Sequence, residues 1–274
     1  MRSLLAPLLC GALLVPACAR DSGSGDGLDV VTAAFPLTWL AQSVGGPHVR
    51  VTGVTPPGAE PHDVELTPAQ VGQVEQADLV VLVEGFQPAL DDAAPDGKTF
   101  DALETAGGTD PHVWLDPVVM SRLARRLAQR MAVADPDHAR EYAKNGARLE
   151  AELLVLHAAA VKALAGCDRK DLVTSHAAFG RFAARYGLRQ TAIVADPEAE
   201  PTPKRLSDVV ALVRKNGVTR VFAESAQSKP ARTVAAEAKV KVEVLDPIET
   251  DRGTEPPEVF GQNVAKVAEA LGCR

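Results

Sequence analysis

Residues 138–165 read HAREYAKNGARLEAELLVLHAAAVKALA. The run holds no proline, and its only glycine is Gly146. Asp135-Pro136-Asp137 supplies a helix start ahead of it and Gly166 a stop behind it. At a rise of about 1.5 Å each, roughly 28 helical residues span about 42 Å, more than one small domain is wide. Such a helix either packs across a whole sheet or joins two bodies as a strut. The flanking sequence decides between these. On either side, short Val-rich runs alternate with helical patterns. The strand-like runs are Asp29–Phe35, Val49–Val54 and Leu79–Val83 before the long helix, and Leu172–Ser175, Ala192–Ala195, Arg220–Glu224 and Val240–Leu245 after it. Helical patterns separate most of them: Thr38–Val44, Thr67–Gln76 and Pro117–Ala134, then Ala178–Tyr186, Pro203–Asn216, Ala231–Ala238 and Val259–Leu271. Alternation of this kind predicts parallel α/β sheets, and continuously apolar strands predict sheets covered on both faces. The expected fold is therefore α/β: two small lobes with parallel sheets flanked by helices, joined by one long rigid helix. The divisions fall at 28–136, 137–166 and 167–274. The polar stretch Asp91–Asp110, with Pro95, Gly97, Gly107 and Gly108, reads as a mobile loop.

Composition narrows the function. The chain has 274 residues, 46% hydrophobic and 24% charged, which suits a folded globular protein. Net charge is -7 and aromatic residues are 4%, so nucleic acid is not an expected partner.

Residues 1–19 read as a secretory signal: Arg2 is followed by an apolar run from Leu4 to Val15, too short to span a bilayer. Two processing patterns overlap there. Leu14-Val15-Pro16-Ala17-Cys18 resembles a lipobox, with Cys18 as lipid anchor, although Pro16 is unusual at its position. Ala17-Cys18-Ala19 fits a small-x-small cleavage site. Residues 20–27, rich in Gly and Ser, read as a flexible tether and favour the lipoprotein. Either route places the folded part outside the cytoplasm, on the cell membrane by the first and periplasmic or secreted and soluble by the second. In that oxidising setting Cys167 and Cys273 read most simply as one disulfide, with free or metal-binding thiols as the alternative.

Six histidines are present: His48, His62, His112, His138, His157 and His176. His48 reads as a surface residue, and His138 and His157 lie on the long helix with solvated or packing roles. The other three differ. His62 sits in a stiff turn, Pro56-Pro57-Gly58-Ala59-Glu60-Pro61-His62, just beyond a strand. His112 lies in a loop before a helix, within Asp110-Pro111-His112-Val113-Trp114-Leu115-Asp116-Pro117. His176 projects from a strand's carboxyl end, as does Asp246. Ligands of open α/β sheets bind beyond those ends. Three imidazoles and one carboxylate would make a tetrahedral zinc site, two donors from each lobe. Each residue could equally be a satisfied structural polar group. Catalytic patterns are weaker. Asp96-Gly97-Lys98-Thr99 lacks the earlier glycine and the preceding strand of a phosphate loop, and no His-Glu-x-x-His helix occurs. Ser175 and His176 are neighbours that would point to opposite faces of a strand.

Together Pro57 to His62, Asp110 to Pro117, Val173-Thr174-Ser175-His176-Ala177-Ala178-Phe179, Tyr186-Gly187-Leu188, Glu200-Pro201-Thr202-Pro203 and Leu245-Asp246-Pro247 resemble the zinc/manganese substrate-binding lipoproteins of bacterial ABC importers. The resemblance runs from about Asp29 to the C-terminus. It implies a non-enzymatic, monomeric protein that holds Zn(II) between two lobes and passes it to a permease with a separate ATPase. The implied metal ligands are His62, His112, His176 and Asp246. Manganese-binding relatives usually carry Glu where this chain has His176, and a third imidazole favours zinc over Mn(II). The His-rich loop of many zinc-binding relatives is missing here, since no histidine lies between Asp63 and Pro111. Glu60 and Glu224 are candidates for outer carboxylates, Glu224 by orienting a ligand imidazole. The rival readings are a manganese-binding member of the family, an extracellular zinc hydrolase using Glu60 as base, and a surface adhesin.

Overall fold

The computed structural model describes residues 27–274; the signal, the tether up to residue 26 and Cys18 lie outside them. Two four-stranded, wholly parallel sheets form the frame. The first contains β1 (Leu28–Thr32), β2 (Val49–Gly53), β3 (Leu79–Leu82) and β4 (Thr99–Asp101) in the order β2-β1-β3-β4. The second contains β5 (Asp171–Thr174), β6 (Arg189–Ala192), β7 (Arg220–Ala223) and β8 (Lys241–Val244) in the order β6-β5-β7-β8. The order is the same in both halves. β3 and β5 are buried at every position, as strands covered on both faces should be.

Helices α1 (Phe35–Gly45), α2 (Pro68–Gln76), α3 (Pro88–Ala93), α4 (Ala102–Ala106) and α5 (Pro117–Ala134) belong to the first half. After α6 (Ala139–Ala163) come α7 (Gly180–Arg185), α8 (Pro203–Lys215), α9 (Lys229–Ala238) and α10 (Pro256–Leu271). Starts are set where the sequence supplies an oxygen cap followed by proline. Asp116 accepts from the amides of Val118 and Val119 ahead of α5, and Thr202 accepts from Arg205 ahead of α8.

The long helix α6 has 25 residues, about 37 Å of rise. It buries Tyr142, Leu149, Leu153 and Ala160, a single stripe at helical spacing. It packs on α1 and α5 of the first half and on α10 of the second. The strut is therefore seated on both lobes.

Two expectations are corrected. The segment read as a mobile loop, Asp91–Asp110, contains the end of α3, all of β4 and all of α4. Phe100 is buried on β4, and Asp101 caps α4 by accepting from Leu103 and Glu104. The strand expected at Ala192–Ala195 lies earlier, at β6. It is an edge strand of sequence RQTA, stabilised by Arg189 on Asp171 at 2.8 Å, so its apolarity is low. Ile193 and Val194 follow it as a bend bonded to the carbonyls of Thr174 and Ser175.

Cys167 and Cys273 are joined by a disulfide across a sequence separation of 106. It ties the segment after α6 to the end of α10.

Candidate metal centre

The carboxyl ends of the two sheets carry loops that converge on one point. The first loop follows β2. Gln87, itself buried, donates from Nε2 to the Pro61 carbonyl and to the Thr55 hydroxyl, both at 2.8 Å. The Phe86 ring lies 4.4 Å from the His62 ring, centroid to centroid. These contacts fix the proline-rich turn, and with it the direction of His62.

The second loop runs from α4 to α5. His112 opens a 3-10 turn at Val113–Leu115. The Asp110 carboxylate accepts from the His112 backbone N–H at 3.0 Å and from Nδ1 at 2.9 Å. A carboxylate only accepts, so the proton sits on Nδ1 and the Nε2 lone pair is left facing the centre.

The third donor follows β5. Thr174 and Gln190 donate to the His176 carbonyl at 2.6 and 3.1 Å, and the His176 Nδ1 pairs with Glu224 at the end of β7. The fourth donor comes from the loop after β8. It is Glu249, whose carbonyl accepts from the Phe35 amide at 3.4 Å.

Four atoms meet. Glu249 Oε1 lies 3.8 Å from His62 Nε2, 3.2 Å from His112 Nε2 and 3.7 Å from His176 Nε2. All four groups offer an atom within 4.8 Å of one another. Side-chain exposure is 15% for His62, 6% for His112, 2% for His176 and 3% for Glu249. Among the described residues, each of these four atoms is buried with no hydrogen-bond partner. Buried polar atoms are normally paired, so a cluster of four unpaired ones asks for an occupant. Three neutral nitrogens and one anionic oxygen suit a tetrahedral divalent cation.

Charge agrees. Burial alone would raise the Glu249 carboxyl, but the three imidazoles hold it well below the usual carboxylate range. Burial opposes a charged His176, yet Glu224 and Glu249 outweigh it and raise the ring to about 10. His112 shifts upward in the same way, through Asp110 and Glu249 against burial. Burial pushes the Glu60 carboxyl up, against the pull of the His62 N–H and with the charges of Glu249 and Glu224 adding to the rise. The centre holds positive charge tightly.

His62, His112 and His176 thus come together, two from the first half and one from the second. Asp246 does not join them. Its Oδ1 accepts from the Ile248 amide at 2.7 Å, and its Oδ2 faces Arg252 at 3.6 Å. Its backbone is held at both ends by Asn263, at 3.2 and 2.6 Å. Asp246 shapes the turn, and Glu249 fills the place expected for it. Ile248 has a left-handed backbone with φ 66°, which turns the chain back toward the centre. The signal in the sequence was the second acid of the same loop, Glu249. Selecting the first carboxylate after the strand passed over it. Of the outer acids, Glu224 does face a cluster imidazole. Glu60 instead accepts from the His62 backbone N–H at 3.3 Å.

The remaining histidines stay outside. His48 stacks on His138 at 3.9 Å, His138 pairs with Asp135 at 2.7 Å, and His157 pairs with the Tyr186 hydroxyl at 3.3 Å.

The family model described as ZnuA, zinc-uptake complex component A periplasmic, matches residues 30–271. The zinc-binding lipoprotein AdcA of Streptococcus pneumoniae serotype 4 is 32% identical over 296 residues, covering 97% of this chain. The chain spans only 58% of that relative's length. The high-affinity zinc uptake system protein ZnuA of Bacillus subtilis is 28% identical over 300 residues, with 94% of each chain covered. Among solved structures, the Zn(II)-bound ZnuA-like domain of Streptococcus pneumoniae AdcA superposes with a TM-score of 0.77. It is 31% identical and covers 89% of this chain and 99% of that one. With the model matched across nearly all of the described residues, the chain belongs to the ZnuA family.

Proposed function

We propose that this chain captures one Zn(II) between its two lobes on the outer side of the membrane. It then delivers the ion to a permease driven by a separate ATPase. The observation that carries the reading is the set of four buried, unpartnered donor atoms on His62, His112, His176 and Glu249. Three imidazoles with one carboxylate favour zinc over manganese, whose preferred donors are oxygens. Four protein donors also close the tetrahedron, so no position is reserved for a hydrolytic water. The site therefore suits capture rather than hydrolysis.

The division into lobes at 28–136 and 167–274, with 137–166 between them, places donors on both sides of the strut. Capture and lobe docking then share one interface. Among the described residues no helix is long and apolar enough to cross a membrane. Attachment is assigned to lipid on Cys18, with the protein acting as a monomer. The names of the zinc-binding AdcA and ZnuA relatives support the same cargo.

Titration of chelator-stripped protein with Zn(II) and Mn(II) in competition tests this. One zinc per chain, not displaced by manganese and accompanied by a large rise in melting temperature, is the expected result. Preferential manganese binding would overturn the metal assignment. Absence of stoichiometric binding of either ion would overturn the capture function.

A further inference from the structure

Asp110 faces both lobes at once. One carboxylate oxygen, Oδ1, holds the Nδ1–H and the backbone N–H of His112. The other, Oδ2, accepts from the Arg181 amide of α7 at 3.0 Å. The Arg181 guanidinium then reaches back across the cleft. Its Nε donates to the Asp110 carbonyl at 2.6 Å, and its terminal nitrogen donates to the Gly107 carbonyl at 2.7 Å. The fit is close: a Cβ on Gly180 would stand 2.5 Å from Asp110 Oδ2. A second arginine of the same helix, Arg185, binds Asp116, four residues after His112, at 2.7 Å. Among the described residues its side-chain hydrogen bonds go to Asp116, not to Asp110 or the imidazole.

We propose that Asp110 is a positioning residue that couples the orientation of the His112 imidazole to the docking of α7 from the opposite lobe. The inference rests on the zinc reading above. When α7 is docked, Arg181 and Gly180 fix the Asp110 carboxylate in one place. That carboxylate fixes the tautomer and plane of His112, and Nε2 points at the centre. When α7 moves away, Asp110 loses its contacts to the second lobe, and only the His112 amide still holds its carboxylate behind the imidazole. One donor of the first lobe is thus aimed most firmly in the closed molecule. Metal release then needs no proton or competitor at His112, only withdrawal of α7.

The test uses the full chain, with Zn(II) alone as probe and a competing chelator to set the scale. Asp110→Asn is expected to weaken zinc by ~10- to ~100-fold, the usual range for carboxylates behind a ligand imidazole. Arg181→Ala touches no donor residue, and Gly180→Ala leaves a helical backbone in place, φ -60° and ψ -49°. Each is expected to cost about 10-fold, the low end of that range. The melting temperature of the metal-free protein should change little for Gly180→Ala. Combining Asp110→Asn with Arg181→Ala should weaken zinc no more than Asp110→Asn alone. In nitrogen-detected NMR the His112 Nδ1–H signal should shift or broaden in Arg181→Ala and Gly180→Ala.

Wild-type affinity and an unchanged His112 signal in both α7 variants would overturn the coupling while leaving zinc capture intact. An equal loss of affinity in Arg185→Ala would also overturn it, because general docking of α7 would then suffice. Failure of the wild-type chain to bind zinc would instead sink the functional reading beneath it.

Discussion

The indole N–H of Trp114 donates to the Pro247 carbonyl at 2.7 Å, joining the two lobes across 133 residues of sequence. Trp114 stands two positions after His112, and Pro247 two before Glu249. The bond therefore links the loops that carry two of the four donors. Both partners are buried, so the carbonyl has no water to fall back on. Trp114→Phe keeps an aromatic ring but removes the donor and part of the buried indole. Urea denaturation should show a loss of at least about 1–3 kcal/mol, from one unsatisfied buried acceptor with the lost packing added. Unchanged stability would mean that the lobes are held without this bond.

Glu249 and Asp246 lie in one loop but face different tasks. Glu249→Gln removes the anionic donor and should weaken zinc by more than the ~100-fold that outer-shell changes reach. Asp246→Asn keeps an oxygen for the Ile248 amide but removes the charge facing Arg252. It should lower the melting temperature while zinc affinity falls much less. Reversal of that order would return Asp246 to the metal.

The halves of the fold were legible in the sequence because their central strands are short apolar runs between periodic helices. LVVL at β3 and DLVT at β5 are buried throughout and could hardly be anything else. Two of the four edge strands were not legible by the same signal, whereas β2 and β8 were. β4 is three residues long, and β6 is half exposed and held by Arg189, so neither shows an apolar run. The site divides in the same way. His176 follows its strand end by two residues, and His62 and His112 sit in proline-flanked turns. Glu249 comes after the first acid of its loop, beyond a left-handed Ile248, and only the three-dimensional turn brings it to the cluster. The partnership of Asp110 with Arg181 spans 71 residues and leaves no local pattern at all.

Zinc has to displace protons. In the metal-free centre Glu224 and Glu249 raise His176 to about 10 against the effect of burial. A raised imidazole contributes stability that is complete below its unfolded value of 6.5 and is lost as pH rises through the folded value, about 10 here. Glu249 runs the other way: its depressed carboxyl contributes above its unfolded value of 4.5 and loses that contribution only as pH falls through the folded value. The metal-free protein should accordingly lose stability as pH rises from 6.5 toward about 10, while zinc affinity climbs over the same window. Calorimetry in buffers of different ionisation enthalpy should detect proton release near pH ~7. Zinc uptake without proton release would contradict a centre built on these imidazoles.

The disulfide lies away from the metal loops. Cys167 precedes β5 at its amino end, whereas His176 follows the carboxyl end of the same strand. Reduction, or Cys167→Ser with Cys273→Ser, should cost on the order of 4–5 kcal/mol by the chain-entropy of a loop this long. Zinc affinity of the folded fraction should stay near wild type. A parallel loss of affinity would show that the amino end of the sheet does communicate with the centre.

The central claim is that His62, His112, His176 and Glu249 hold the ion. Zinc K-edge absorption on the loaded protein addresses it directly. The account predicts four nitrogen and oxygen neighbours at about 2.0–2.2 Å, with the scattering pattern of three imidazoles. That shell should be unaltered in Asp246→Asn and should lose its carboxylate in Glu249→Gln. A sulfur neighbour, a six-oxygen shell, or a first shell that changes with Asp246 and not with Glu249 would contradict it.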